Sequence, residues 1–327
     1  MLRVRIYGEL NIMLNLNQLR VFYEVARSLN YSVAADKLSV TQPAVSKQIK
    51  SIEEFYDLKL FTKKKHKIHI TDEGRKIFIY ASRIFELERQ LEEMISGLKN
   101  LKYGSLRIAT TQTYARRFFT ALLSPFQHKY PNVIIELDEG SSLNMARSLL
   151  NFKNSLAIVA EVENEPEITF VPLLLEEVVL IAAPACPLIS KGEISFNDLK
   201  GHPLIMKEIG SGTRKLVDEN FHSHHIKPNI IAQSNNMEFI KNMVLLNNGV
   251  SFVVRSAVEQ ELSQGDLILI PLRKKPLFLD ISIAFLKDYE LPHAAKIFLE
   301  YFLPVTRQEK PPVGMPEVID RLSNFER

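Results

Sequence analysis

Apolar side chains recur at helical spacing in residues 17–27, where Leu19, Phe22, Val25 and Ala26 form one stripe and Asn17 stands where an N-cap belongs. Two short helices follow, one capped by Ser32 over residues 33–38, the next capped by Thr41 with Pro43 in its first turn. In this third helix Val45, Ile49 and Ile52 fall at i, i+4 and i+7 and face inward, which leaves Gln42, Ser46, Lys47 and Lys50 on the opposite side. Leu60-Phe61, a basic stretch over 62–67 and the alternating Ile68-His69-Ile70 predict a β-hairpin with a basic tip. From Thr71, the cap of a long helix, Ile77, Ala81, Ile84, Glu88, Leu91, Ile95 and Leu98 alternate four and three apart, close to a heptad seam with one polar member. Beyond Gly104 the period changes. Strands at 106–109, 133–137 and 156–159 alternate with helices at 115–130 and 143–152, and a second set places strands at 178–182, 204–206, 230–232 and 250–253 around helices at 213–221 and 238–246. Such alternation predicts an α/β body in two similar lobes.

Charge divides the chain in the same way. Residues 1–102 hold 18 Lys+Arg against 12 Asp+Glu, and residues 103–327 hold 23 against 26, so the basic excess sits at the front. A basic head suits a polyanionic partner and the body does not. The opening residues lack a long apolar core and a small-residue cleavage site, and no apolar run is long enough to span a membrane. Cys186 is the only cysteine, which excludes an internal disulfide and cysteine-paired zinc and suits a reducing cytoplasm; in its apolar surroundings it reads as inert filler.

A helix locked by one apolar face and presenting polar residues at its N-terminal end is what a DNA recognition helix requires. Gln42 matches the donor and acceptor pair of adenine, and Lys47 matches guanine or phosphate. Lys63, Lys64, Lys65 and Lys67 on the hairpin would touch phosphate or the adjoining minor groove and supply salt-dependent affinity. The seam of the long helix predicts pairing with the same helix of a second subunit; docking on its own body is the alternative.

The run from Ser32 to Glu53, SVAADKLSVTQPAVSKQIKSIE, followed by Leu60-Phe61 and Thr71-Asp72-Glu73-Gly74, resembles the signature of LysR-type transcriptional regulators. The resemblance implies a winged helix-turn-helix head over 15–72, with Ser32, Thr41, Gln42, Pro43, Ser46, Lys47 and Lys50 at the DNA together with the wing lysines. It implies a linker and dimerisation helix over 73–102. It also implies a periplasmic-binding-protein-like effector domain over 103–306, with lobe 1 at about 103–173 and 277–306 and lobe 2 at about 174–276. Two strands would cross between the lobes, near 173–180 and 277–283. Residues 1–14 form an extension outside the resemblance, and 307–327, where Pro311-Pro312 interrupts a polar run, form a peripheral tail. Tyr56 stands where the family commonly has glycine. A homodimer or homotetramer on a dyad-symmetric operator in double-stranded DNA follows from the family's organisation.

In α/β sheets ligands bind beyond the carboxyl ends of the strands, here between the lobes. Thr110-Thr111-Gln112-Thr113 follows the first strand and Gly210-Ser211-Gly212-Thr213-Arg214 follows Met206, each opening a helix whose N–H groups favour an anion. Either loop alone reads as a simple cap; equivalent placement in two lobes favours a small anionic effector. The loops are similar to those of sulfur- and carbon-assimilation regulators of the family, which implies Thr111, Thr113, Ser211 and Thr213 as the first effector residues; Thr110 and Arg214 in the same loops, and Ser141, Ser142 and Ala160 near the ends of the second and third strands, complete the expected set. Tyr114 departs from the polar amide common in the sulfur-sensing members. His222, His224 and His225 crowd a helix end without a carboxylate or cysteine pattern, so no metal or other cofactor is expected, and no catalytic motif appears. The alternative is a small-anion receptor or enzyme whose N-terminal helices serve only assembly.

Overall fold

The computed structural model describes residues 15–64, 67–100, 104–116, 120–273, 276–306 and 311–325. The chain divides into two compact units, residues 1–92 and 93–327. Among the described residues no helix is long and apolar enough to cross a membrane.

The first unit begins with α1 (Leu16–Ser28), α2 (Tyr31–Lys37) and α3 (Gln42–Tyr56), continues through the antiparallel hairpin of β1 (Phe61–Lys64) and β2 (Lys67–Ile70), and enters α4 (Asp72–Asn100). Its core joins Phe22 and Val25 of α1, Ala34 of α2, Val45 and Ile49 of α3, Leu60, and Ala81 and Phe85 of α4. The first two helices start as their capping chemistry dictates, but two residues earlier than the sequence expectation. Asn15 caps α1 by accepting from Asn17 and Gln18, and Asn30 caps α2 by accepting from Ser32 and Val33, so neither Asn17 nor Ser32 is a cap. Thr41 holds the cap position of α3 without a side-chain bond, whereas Thr71 does cap α4, its hydroxyl accepting from the Gly74 N–H at 2.9 Å. The left-handed residue that ends α3 is Asp57 (φ 49), so the position that favours glycine is Asp57 and not Tyr56. The expected seam on α4 is divided: Ala81 is buried and Ile77 and Ile84 half-buried against this unit's own core, while Leu91 and Ile95 are exposed. Half of the stripe is therefore consumed within the head. The side chain of Leu98 and the N-terminal extension lie outside the described residues.

The second unit carries β3 (Ser105–Thr111), α5 (Gln112–Tyr114), α6 (Thr120–Lys129), β4 (Ile134–Gly140), α7 (Ser142–Leu150), β5 (Leu156–Val159) and the long β6 (Ile168–Ala182). Then come β7 (Pro203–Lys207), α8 (Gly212–Ser223), β8 (Asn229–Ser234), α9 (Met237–Leu245), β9 (Ser251–Val254), α10 (Glu259–Gln264), β10 (Ile268–Ile270), β11 (Leu277–Leu286), α11 (His293–Thr306) and α12 (Gly314–Phe325). β6 and β11 run antiparallel along their length, from Leu277 beside Val178 to Leu286 beside Ile168. At one end β11 pairs with β5, which leads through β3 to β4; at the other, β6 pairs with β9 and β10, and the main chain of Val250 bonds Pro203 and Ile205 to bring in β7 and β8. The two crossing strands thus join two lobes, one cored by Phe126, Phe298 and Phe302, the other by Phe196, Phe221 and Phe252.

The chain end corrects the sequence expectation. Residues 314–325 form a helix whose Val318 and Leu322 are buried with Phe298 and Phe302, and Leu175 of β6 donates to the Pro312 carbonyl at 2.8 Å. Pro311 and Pro312 thus precede a further packed helix and not a peripheral tail.

Candidate DNA-binding head and effector cleft

In the head, burial of Val45 and Ile49 fixes the rotation of α3, and Gln42, Pro43, Ser46, Lys47 and Lys50 are exposed together on its other side, with Thr41 before them. Lys50 pairs with Glu54 at 3.4 Å, an exposed contact of little energy. Ser32 is exposed on α2, and Lys63 and Lys67 are exposed on the hairpin; Lys65 and the side chain of Lys64 lie outside the described residues. Glu53 anchors the hairpin to α3. Its Oε1 accepts from the N–H groups of Leu60 (2.8 Å) and Phe61 (3.3 Å), and Lys59 donates to its Oε2 at 3.3 Å.

In the second unit a cavity of about 210 Å³ opens where the lobes face each other. Thr111, Gln112, Thr113 and Tyr114 enter from the end of β3, Gly140, Ser141 and Ser142 from the end of β4, Ser211, Gly212 and Thr213 from the start of α8, and Leu279 and Ile281 from the crossing strand β11. The carboxyl ends of strands and the N-termini of helices deliver the lining, as the α/β rule requires. Ser211 and Thr213 are each only 8% exposed. Ser211 occupies the cap position of α8 without a cap bond, and among the described residues neither hydroxyl has a hydrogen-bond partner. α8 therefore presents uncapped N–H groups and two unpartnered hydroxyls to the cavity, which carry partial positive charge and donors.

Three expected effector residues are placed elsewhere. The buried Thr110 hydroxyl donates to the Ile158 carbonyl at 2.8 Å and ties β3 to β5. Ala160 lies against Gly212 beneath the cavity, not on its wall. Arg214 is engaged within its own lobe: Nε donates to Asp218 at 2.6 Å, and Nη1 donates to the Lys207 carbonyl at 3.1 Å and to Gln233 at 3.3 Å. Its guanidinium braces the strand end and does not line the cavity.

Lys207 is a site residue that the sequence does not single out. It ends β7, lines the cavity, and donates through Nζ to the Asn235 carbonyl at 2.8 Å. Burial pushes the pKa of its ammonium down, opposed by the neighbouring Glu208, so an arriving anion would be favoured by restoring the charge. Glu139, Glu208 and Asn235 also line the site outside the expected set. Their common signal is position, one or two residues either side of a strand's carboxyl end. Behind Tyr114, whose phenol burial and Glu176 push well up, the Glu176 carboxyl is buried on β6, accepts from the Ser256 hydroxyl at 3.0 Å and is pushed up to about 7, chiefly by desolvation.

Of the three histidines, His222 and His225 are exposed, while His224 stacks on Phe196 with centroids 5.2 Å apart and donates from Nδ1 to the Asn220 carbonyl. Among the described residues no group of three His, Cys, Asp or Glu is placed to hold a metal. Cys186 is buried, with its sulfur 4.0 Å from His202 Nε2.

Comparison with known proteins gives two family models. Residues 16–75 match the bacterial regulatory helix-turn-helix protein of the lysR family, and residues 99–307 match the LysR substrate binding domain. The chain is 32% identical over 286 residues to the HTH-type transcriptional activator CmpR of a Synechocystis strain, covering 88% of this chain and 94% of that one. The regulatory domain of Synechocystis CcmR in complex with 2-PG superposes with a TM-score of 0.58 at 28% identity, covering 64% of this chain and 99% of that domain. Full-length CbnR complexed with its target DNA shares the fold at a TM-score of 0.61 and 21% identity, over 88% of this chain and 98% of that one.

Proposed function

The chain belongs to the LysR family of DNA-binding transcriptional regulators, and from that premise we propose that it reads a dyad-symmetric operator through α3 and the hairpin and senses a small anionic metabolite in the cleft between its lobes. The observation that carries the effector half is the open N-terminus of α8, where the largely buried Ser211 and Thr213, their hydroxyls unpartnered among the described residues, line one cavity with Lys207. Anion binding there draws both lobes together, and in a homodimer or homotetramer a change of lobe closure resets the spacing of the DNA heads. The 2-PG complex of CcmR supports an acid of this size as the type of effector. No catalytic step is part of the mechanism, and the site of action is the cytoplasm.

On DNA, Gln42, Pro43, Ser46, Lys47 and Lys50 enter the major groove, with Ser32 and Thr41 at the backbone and Lys63, Lys64, Lys65 and Lys67 on phosphate. The test is binding of the full chain to genomic fragments at two salt concentrations. Gln42→Ala should reduce discrimination between operator and random DNA by about tenfold, the lower range for one bidentate contact. Neutralising Lys63, Lys64 and Lys65 should make the salt dependence shallower, its logarithmic slope falling by roughly one for each phosphate no longer neutralised. Binding that is equally tight to all sequences, in wild type and Gln42→Ala alike, would refute the placement of α3.

A further inference from the structure

The cleft is not charged as a receptor for a bare anion would be. Among the described residues lining it, Lys207 is the single cation, while Glu139 and Glu208 are both acidic, the first exposed and the second half-buried beside Lys207 in the chain. Neither carboxylate has an ion pair or a side-chain hydrogen bond among the described residues, although both flank Ser141 and Ser211, the residues that open α7 and α8. The arginine that would have balanced them, Arg214, is engaged with Asp218. A sulfate or phosphate held only at the α8 terminus would meet two acidic residues against one lysine, whose charge already interacts with Glu208, a balance that disfavours a bare anion. Ser211 and Thr213, each more than nine-tenths buried as residues, nevertheless line the same cavity with hydroxyls that have no hydrogen-bond partner among the described residues, which suits a ligand at this pole.

Accordingly we infer that the effector is a small acid with two poles: an anionic group seated on the α8 N-terminus and Lys207, and hydrogen-bond donors, on hydroxyl or ammonium groups, received by Glu139 and Glu208. Glu139 and Glu208 are then specificity-determining residues, since an ionised carboxylate only accepts hydrogen bonds and repels a ligand that brings acceptors alone. The inference rests on the cleft being the effector site.

Two matched series test it by calorimetric titration of the full chain: 3-phosphooxypropanoate, 3-phosphoglycerate and O-phosphoserine, which differ by nothing, a hydroxyl and an ammonium, and succinate, malate and aspartate, which differ likewise. Sulfate serves as the bare anion. In at least one series the donor-bearing members should bind about tenfold or more tighter than the donorless one, and whether the hydroxyl or the ammonium compound gains identifies the donor. Glu139→Gln and Glu208→Gln should narrow that gap while leaving the donorless compound unchanged or tighter bound. Equal or tighter binding of the donorless compounds in wild type, with loss in Lys207→Met, would overturn the two-pole effector yet keep the anion site. Absence of binding by every compound, or binding indifferent to Lys207→Met, would overturn both.

Discussion

Ala160 lies directly against Gly212, so that a Cβ added to the glycine would overlap the alanine methyl and come within 3.2 Å of Leu279 Cδ1. The contact joins the end of β5 in one lobe to the first turn of α8 in the other, and it continues in the Leu143 N–H, which donates to the Gly210 carbonyl at 3.0 Å. Gly210 makes that bond from φ +92, a left-handed conformation that costs glycine nothing. The floor of the cleft is therefore held by two glycines with different duties.

Gly212→Ala should force the lobes apart at this contact. Overpacking of this kind costs about 1–3 kcal/mol, and here it falls on cleft geometry as well as stability. Thermal unfolding should show the loss in Gly212→Ala and its recovery in Gly212→Ala/Ala160→Gly, which exchanges the methyl between the two residues. A double variant no more stable than the single one would mean that α8 shifts independently of β5.

Glu176 should make the protein less stable as the medium turns alkaline. Unfolded, its carboxyl ionises near the ordinary 4.5; folded, near about 7. Below 4.5 it is protonated in both states and the fold carries no charge at that site. As pH rises from there the unfolded chain ionises first and the stability present at acid pH is lost, completely once the folded carboxyl ionises in its buried position above about 7. The shift corresponds to roughly 3 kcal/mol. Denaturant unfolding of Glu176→Gln at pH 5 and pH 8 checks it: the variant should gain about 2 kcal/mol over wild type at pH 8 and little at pH 5. An equal effect at both values would assign the difference to packing beside Ser256.

Periodicity makes the head legible, because Val45 and Ile49 can share a core only if α3 is turned as it is, and that rotation alone exposes Gln42 and Lys47. Caps are less legible. Asn15 and Asn30 each stand two residues before the expected cap, and a run rich in Asn, Ser and Gln offers several equivalent acceptors, among which tertiary packing of Phe22 and Ala34 decides. Arg214 belongs to its own helix and not to the cleft because its partner stands four residues on: Asp218 occupies the i+4 position, where a helical arginine is most readily held. Lys207 carries no local signal, since its role comes from the strand order that brings β7's end to the cavity.

Truncating the core of α12 should destabilise the lobe it covers. Val318 and Leu322 stand one turn apart on the face that meets Phe298 and Phe302, and Glu317 secures the helix start by accepting from the Val313 N–H at 2.8 Å and pairing with Arg321 at 2.5 Å. Removing both side chains in Val318→Ala/Leu322→Ala should cost about 3–5 kcal/mol, within the range for buried aliphatic truncations. Chemical denaturation measures it. A cost under about 1 kcal/mol would show that α12 is dispensable for this core.

Glu53 should govern how firmly the wing is presented to DNA. Its carboxylate holds two main-chain N–H groups at the start of β1, those of Leu60 and Phe61, from the last turn of α3 before Asp57 ends the helix. Glu53→Ala leaves both donors unsatisfied in a half-buried place, a cost of about 1–3 kcal/mol, and frees the hairpin relative to α3. The base contacts proposed for α3 do not involve this carboxylate, so operator and random DNA should lose affinity together, with a shallower salt dependence and unchanged discrimination. Glu53→Gln retains one acceptor oxygen and should lie between the two. Loss of discrimination in Glu53→Ala, at unaltered salt dependence, would instead mean that the carboxylate orients the recognition helix.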